Sequence, residues 1–249
     1  MLKDGSCPLI LKRGGTVVDS LGDRMKGYER VPSGKLTRRT PVIVRVDGRS
    51  FHTFTRGMEK PFSPKLIYVM QQVAKELMEL SGNCVLAYVQ SDEISVLMND
   101  WNTLDSQPFF DNKIQKLSSI FAAAATSSFI NHWYKVTGDL EMVQFDARVF
   151  NLPKDDVANY FIWRQQDWTR NSLQMVSRAN FSHKRLEGKN QSDMHEMLWS
   201  EKSINWNDFD THLKRGTFLS KEGKVVIDKE CPIITKDRNY VEQHLESAE

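Results

Sequence analysis

The sequence predicts an α+β fold in which a βαββαβ unit forms an antiparallel, ferredoxin-like sheet and a mainly helical region follows it. The prediction rests on two observations: short apolar runs alternate with two long stretches, and those stretches have the 3.6-residue period of amphipathic helices. Strands are expected over residues 41–46, 85–90, 94–98 and 142–150, and helices over residues 64–81 and 111–136. The βαββαβ order is typical of the split βαβ arrangement.

The first long helix is predicted from Pro64 to Ser81, with Gly82 as its stop signal. The residues on its apolar face are Leu66, Val69, Met70, Val73, Leu77 and Leu80. The last strand alternates apolar and polar side chains, which predicts one buried face. The residues on that face are Val143, Phe145, Ala147 and Val149.

Two acidic residues stand at the ends of predicted strands. Asp47 ends the run PVIVRV, and Asp92 follows the run VLAYVQ and Ser91. In a split βαβ arrangement the first strand ends at the same sheet edge as the turn between the second and third strands. We therefore expect the two carboxylates to converge. Taken singly, each aspartate is explained equally well as a solvated turn residue.

Converging carboxylates repel each other unless a cation lies between them, and hard oxygen ligands favour Mg²⁺. A bound Mg²⁺ keeps positions open for substrate phosphates, so the pair predicts metal-dependent nucleotide chemistry. Gly48, directly after Asp47, leaves room for its carbonyl to reach a metal or for its N–H to reach a phosphate. A plain turn glycine is an equal alternative.

Five segments of the chain form a recognisable set in order and spacing. They are GDRMKGYE (22–29), RVDGRSFHTFT (45–55), QSDEIS (90–95), FDARVFNLP (145–153) and WRQQDWTRNS (163–172). With them the sequence resembles the histidine-tRNA guanylyltransferase family. Within it, the chain is most similar to the guanylyltransferase-like proteins, which are 3′-to-5′ polymerases. The resemblance covers about residues 22–220.

The resemblance implies a polymerase-like palm domain, a tRNA grown at its 5′ end, and ATP and GTP as substrates. It implies two Mg²⁺ ions held by Asp47, Asp92 and the carbonyl of Gly48, with Glu93 as a further catalytic acid beside them. It also implies nucleotide-binding segments. Their residues are Asp47, Gly48, Arg49, Ser50, Phe51, His52, Ser91 and Asp92.

Basic residues complete the predicted substrate contacts. The resemblance places Lys60, Lys113 and Lys116 on the triphosphate or on the tRNA 5′ end. Because the last two lie three positions apart on one predicted helix, a solvated basic face explains them as well. The residues predicted to contact RNA are Arg148, Arg170, Asn171, Lys184 and Lys189. Alternatives remain for two of these residues: an ion pair between Arg148 and Asp146, and a turn cap at Asn171.

One departure from the family pattern bears on the reaction. Eukaryotic members carry the segment His-Ile-Asn-Asn-Leu-Tyr-Asn after the WRQ motif, and its histidine is tied to recognition of the added guanosine. This chain has Thr169 to Met175 there instead. We therefore expect template-directed repair of 5′-truncated tRNA, with ATP activating a 5′-monophosphate. The alternatives are a dedicated guanylyltransferase that adds one 5′ guanosine, a nucleotide cyclase and a non-catalytic RNA-binding module.

The chain has 249 residues, with 34 Lys and Arg against 32 Asp and Glu. The basic excess is local: Arg24 to Arg45 holds seven basic residues and one acidic residue, and Arg164 to Lys189 six basic and two acidic. Such clusters suit an RNA backbone and also occur on ordinary surfaces. The predicted division is an N-terminal arm (1–21), a palm-like catalytic domain (22–152) and a tRNA-contacting region (153–249).

Three cysteines without metal-ligand spacing argue against disulfides and zinc. No apolar run is long enough to span a bilayer, and no signal-peptide core is seen at the N-terminus. We therefore expect a cytoplasmic protein with no membrane partner. The family resemblance implies a homotetramer that binds tRNA and nucleoside triphosphates.

Overall fold

The computed structural model describes residues 20–246, apart from the side chain of residue 222. The predicted arm (1–21) therefore lies almost wholly outside the described residues. The chain forms two compact units, residues 1–33 and 34–249. In the first unit, helix α1 (Leu21–Arg30) begins at Ser20, whose Oγ accepts a hydrogen bond from the Asp23 N–H at 3.1 Å. That contact satisfies one of the free N–H groups of the first turn.

The second unit begins with the predicted alternation of strands and helices and ends in a mainly helical region. The elements of the βαββαβ part are β1 (Val42–Gly48), α2 (Phe51–Phe54), α3 (Pro64–Glu79), β2 (Cys84–Gln90), β3 (Glu93–Met98), α4 (Ile114–Thr137) and β4 (Phe145–Asn151). Those that follow are α5 (Val157–Asn180), α6 (His183–Leu186), α7 (Gln191–Lys202), α8 (Thr211–Arg215), β5 (Thr217–Glu222), β6 (Lys224–Asp228) and α9 (Asn239–Glu242). No helix in the described part of the chain has the length and apolar character that crossing a bilayer requires.

Within the described residues, six strands form one antiparallel sheet in the order β4-β1-β3-β2-β5-β6. The first four strands have the order expected of the split βαβ arrangement, so the predicted fold class is confirmed. β5 and β6 extend the sheet from the C-terminal region, which the sequence predicts to be mainly helical. The predicted division at residues 152 and 153 stays a prediction.

Element boundaries differ from the prediction where the backbone is left-handed. Helix α4 begins at Ile114 rather than at Asp111, because Phe110, Asp111 and Asn112 have φ values of 49°, 55° and 52°. Three successive left-handed residues cannot continue a right-handed helix. Helix α3 ends at Glu79, before the predicted glycine stop, and begins as expected with Pro64 in its first turn.

One face of the sheet packs against α3 and α4. Alternate residues of β1 and β3 point into this core, including Val44, Val46, Ile94 and Val96. The predicted apolar faces of α3 and of β4 both belong to it. Phe51 is 3% exposed and lies within 5.4 Å of the Phe129 ring, centroid to centroid. The end of β1, just before Phe51, is therefore anchored in an aromatic cluster.

The opposite face packs against α5 and the C-terminal segments. Tyr88 is fully buried there, and its hydroxyl donates to the carbonyl of Arg215 at 2.7 Å. Gly216 has φ +79°, and a Cβ at that position would lie 2.5 Å from the Tyr88 hydroxyl. A glycine is required because both the left-handed backbone and the tyrosine exclude a side chain.

A buried ion pair joins α5 to the sheet. The Arg164 guanidinium donates to both carboxylate oxygens of Glu93, the first residue of β3, at 2.8 Å each. The side chains are only 8% and 10% exposed. One helical turn earlier, the Tyr160 hydroxyl lies 2.7 Å from the Ser95 Oγ. These contacts hold α5 in register with β3.

We predict that Arg164→Met lowers the free energy of unfolding by about 3–5 kcal/mol, because Glu93 is left as a buried charge without a partner. Denaturant unfolding measures this loss. The added change Glu93→Gln should recover part of it, since the uncompensated charge is then gone. Arg185→Met removes the exposed pair between Arg185 and Glu201 and serves as the control. Equal losses for Arg164→Met and Arg185→Met would contradict the assignment.

Candidate active site

The structure brings Asp47 and Asp92 to the same edge of the sheet. Asp47 lies near the end of β1, where its Cα pairs with that of Glu93 across the ladder. The Gly48 N–H donates to the carbonyl of Asp92 at 3.1 Å. The strand end and the β2–β3 turn are therefore tied together by a backbone hydrogen bond, and the two carboxylates converge as the topology predicts.

Both carboxylates are partly buried, and this environment disfavours their ionised form. Burial raises the pKa of Asp47, as does the neighbouring Asp146 carboxylate, while Arg45 and other nearby arginines lower it. Burial also raises the pKa of Asp92, the Asp47 charge adds to this effect, and His52 opposes it. Neither aspartate forms an ion pair within the described part of the chain. A cation bound between them would relieve the repulsion.

The two turns that carry the acids are strained. Ser50, just after β1, has φ 57°, and Ser91, just before Asp92, has φ 48°. Left-handed backbone at residues other than glycine is costly and is enriched at functional sites. Gly48 keeps a strand conformation, but a Cβ there would lie 2.3 Å from the Phe51 ring. Close packing, rather than a turn, accounts for this glycine.

A pocket of about 660 Å³ opens beside Asp92. Most of the residues predicted to bind nucleotide line it: Gly48, Ser50, Phe51, His52, Lys60, Ser91 and Asp92. The ring of Phe51 belongs to the core, whereas the Lys60 ammonium donates to the Thr55 carbonyl at 3.2 Å and remains exposed. The volume is in the range of small-ligand sites.

Helix α5 supplies a wall of this pocket that the sequence analysis missed. Met175, Arg178 and Ala179 line it, together with Thr55 and Pro61. The three α5 residues share one helix face by their spacing of three and four. That spacing was visible in the sequence, but nothing local indicated that the face would reach the acids. Arg178 is exposed and adds a second cation beside Lys60.

Arg49 points away from this pocket. Its guanidinium donates to the Gln144 Oε1 at 2.6 Å, and its N–H donates to the Gln144 carbonyl at 2.8 Å. It lines a second, open pocket with Phe145 and Asp146 on the α4 side of the sheet. Its predicted contact with the nucleotide stays a prediction without support from this geometry.

Lys113 and Lys116 lie at the other edge of the sheet. Lys113 directly precedes α4 and forms a backbone bridge with Lys35. The neighbouring Asn112 Nδ2 donates to the Thr37 carbonyl at 3.4 Å, and the Thr37 N–H donates to Asn151, the last residue of β4, at 2.8 Å. β4 begins beside Gly48 and ends beside Val42, so the lysines lie at the end of the sheet away from the acids and neither lines the nucleotide pocket.

Glu93 differs from the two aspartates because its carboxylate is already engaged. Besides the bidentate contact with Arg164, it accepts a hydrogen bond from the Gln90 Nε2 at 3.1 Å. An acid held in this way positions the turn that carries Asp92. Its predicted catalytic role stays a prediction.

The predicted RNA contacts form two groups. Arg170 pairs with Asp167 on α5, and the Asn171 Nδ2 donates to the same carboxylate at 3.4 Å. Lys184 and Lys189 are exposed around α6. The second group is Arg148 alone, on β4, where its Cα lies opposite that of Arg45 in the β1–β4 ladder. Neither Arg148 nor Asp146 forms an ion pair among the residues that the structure describes, so the proposed internal pair is not seen.

The donor set at the site fits Mg²⁺. No group of three or more His, Cys, Asp or Glu side chains is placed to hold a metal in residues 20–246. Mg²⁺ does not need such a cage, since proteins usually hold it through one or two carboxylates and leave the other positions to water and substrate phosphates. Asp47, Asp92 and the Gly48 carbonyl would supply that kind of partial shell.

Comparisons with known proteins agree with this geometry. The model of the family "Thg1: tRNAHis guanylyltransferase" matches residues 22–153. The tRNA(His) guanylyltransferase of Debaryomyces hansenii is 32% identical over 201 residues, which cover 74% of each protein. The family match includes both aspartates and the β2–β3 turn.

Two solved structures are also similar. A bacterial tRNA(His) guanylyltransferase (Thg1)-like protein in complex with ATP has a TM-score of 0.89 at 47% identity and covers 91% of this chain and 99% of its own. Another such protein, in complex with GTP, has a TM-score of 0.78 at 40% identity over the same shares. The chain therefore belongs to the tRNAHis guanylyltransferase family of nucleotidyltransferases.

Proposed function

We propose that this enzyme transfers nucleotides to the 5′ end of tRNA and uses ATP and GTP as substrates. The observation that carries the proposal is that Asp92 lines a pocket of about 660 Å³ and that Asp47 lies close enough for its charge to raise the pKa of Asp92, in a chain of this family. The ATP and GTP complexes of the similar structures support a triphosphate in that pocket. A nucleotide cyclase or a non-catalytic RNA-binding module has no comparable support.

Mg²⁺ would be held by Asp47, Asp92 and the Gly48 carbonyl. When bound, it supplies charge neutralisation at the reacting phosphates. The protein side chains do the remaining work: Lys60 and Arg178 attract the triphosphate, and the pair of Glu93 and Arg164 holds the β2–β3 turn in place. Fixed groups cost little reorganisation during the reaction.

The names of the relatives favour addition of a 5′ guanosine over template-directed repair. The Debaryomyces hansenii protein carries the name of the dedicated enzyme. One observation keeps repair as a second candidate: Thr169 to Met175 replaces the family segment tied to guanosine recognition. In template-directed repair, the base on the opposite tRNA strand would determine which nucleotide is added.

The wider substrate contacts belong to the same proposal. Arg148, Arg170, Asn171, Lys184 and Lys189 would contact the tRNA. Lys113 and Lys116 would contact phosphate away from the pocket of their own subunit. The predicted homotetramer is tested by light scattering on the purified protein. A tRNA substrate suits a cytoplasmic location, which stays a prediction.

Asp47→Asn and Asp92→Asn should each lower the rate of nucleotide transfer by at least about a hundredfold, because charge neutralisation at the phosphates is lost. The melting temperature of the free protein should stay the same or rise, since repulsion between the carboxylates is relieved. Transfer of labelled GTP to tRNA and thermal melting measure both effects. Asp155→Asn is the control on an exposed acid outside the site. Near-normal transfer by either site variant would contradict the metal assignment.

Lys60→Ala should raise the KM for the nucleoside triphosphate by roughly tenfold to a hundredfold, because a charge-assisted contact is worth about 1.5–3 kcal/mol. Steady-state kinetics at saturating tRNA measure the change. Lys65→Ala removes a nearby exposed lysine outside the pocket and serves as the control. Lys184→Ala should instead weaken tRNA binding and flatten its salt dependence. If Lys60→Ala affected only tRNA, its assignment would be wrong.

The choice between the two forms of the reaction has a direct test. A 5′-truncated tRNA is prepared with each of the four bases opposite the first missing position, and the added nucleotide is identified. Template-directed repair predicts the complementary nucleotide in each case, because correct pairing aligns the reacting groups. Guanosine added opposite every base would show a dedicated guanylyltransferase.

A further inference from the structure

Trp163 has an unusual position on helix α5. Its side chain is 51% exposed, although a tryptophan usually buries most of its large apolar surface. The Arg164 guanidinium lies 4.4 Å from the centre of its ring, and the Tyr160 ring packs edge-on at 5.9 Å. Arg164 is itself fixed by Glu93. The indole is thus supported on one side and open to solvent on the other.

The same indole lines a cleft of about 610 Å³ that is separate from the nucleotide pocket. Around it the cleft is lined by polar side chains, including Gln166, Asn207, Arg215 and the ion pair of Arg170 with Asp167. The residues of α5 that line the cleft lie between Trp163 and Arg170, and those that line the nucleotide pocket lie between Met175 and Ala179, further along the same helix. One helix therefore lines two cavities of similar size.

The cleft is connected to the candidate active site through a short chain of contacts. Asp167 lines the cleft, and it accepts a hydrogen bond from Arg164 at 3.1 Å. Arg164 binds Glu93, whose Cα pairs with that of Asp47. Trp163 thus stands beside the face of the sheet that carries Asp47, Asp146 and Arg148.

We propose that this cleft binds single-stranded RNA and that a nucleobase stacks on Trp163. The inference rests on the proposed function. A nucleotide added to the 5′ end of a stem lies opposite the 3′ strand, and the bases of that strand beyond the last pair are unpaired. The enzyme therefore needs a surface for unpaired bases close to the two aspartates.

The chemistry of the cleft matches that ligand. Proteins bind unpaired bases by stacking them on aromatic rings, and amide and guanidinium groups then contact base edges and phosphates. Trp163 provides a ring that is already held in position, because the Arg164 guanidinium packs against one of its faces. Gln166 and Asn207 provide amides, Arg215 provides positive charge, and Arg170 lines the cleft as the partner of Asp167. The cleft thus gives Arg170 a location consistent with its predicted RNA contact.

The test uses a fluorescent oligocytidylate about six nucleotides long, bound in the presence of saturating ATP, so that the nucleotide pocket is filled. Trp163→Ala should weaken its binding by about 5- to 100-fold, which corresponds to one lost base stack. Trp163→Phe should recover most of the affinity, because the aromatic ring is retained. Trp199→Ala is the matched control, since Trp199 is 60% exposed on α7 and does not line the cleft.

A second measurement uses tRNA with and without its unpaired 3′ strand. The wild-type protein should bind the intact tRNA more tightly, and Trp163→Ala should bind the two alike. The proposal is overturned if the wild-type protein does not bind the oligonucleotide, if Trp163→Ala binds it normally, or if Trp199→Ala loses as much affinity. Failure of the proposed function would appear separately, as absence of nucleotide transfer to tRNA by the wild-type protein.

Discussion

The buried contact between Arg164 and Glu93 joins the two parts of the molecule on which the site depends. Glu93 begins β3 directly after Asp92, and Arg164 lies in the middle of the long helix α5. Both hydrogen bonds are 2.8 Å long and nearly free of solvent. A buried ion pair contributes little net stability, but it restricts geometry, because neither charge is tolerated alone. A shift of the helix along the sheet would therefore expose one of the two charges to solvent or leave it buried without its partner.

Helix α5, held in this register, contributes side chains to two binding surfaces. Its C-terminal half supplies Met175, Arg178 and Ala179 to the nucleotide pocket, and the part from Trp163 to Arg170 lines the polar cleft. An enzyme that joins a nucleotide to an RNA end has to hold two different ligands at a set distance. A single helix that lines both surfaces meets that requirement without a moving part.

The two aspartates are held in an environment that disfavours them in the free protein. Burial raises the pKa of both, the Asp146 charge adds to this effect at Asp47 and the Asp47 charge adds to it at Asp92, and the turns beside them are strained at Ser50 and Ser91. The aromatic packing of Phe51 against Gly48 and the backbone bond from Gly48 to Asp92 offset this cost. A cation bound between the carboxylates would relieve this repulsion and would attract a phosphate to the same edge.

The sequence by itself determined the βαββαβ order, the convergence of Asp47 and Asp92 and most of the residues around the nucleotide pocket. The first two features follow from local periodicity and from the few topologies open to a split βαβ unit, and the pocket residues follow from the family resemblance. The tertiary structure alone decided the rest. Arg178 reaches the pocket, Glu93 is engaged by Arg164, and Lys113 lies at the far edge, because each depends on how α5 and α4 cross the sheet. No local pattern encodes that crossing; it is set by the packing of buried side chains distant in the chain.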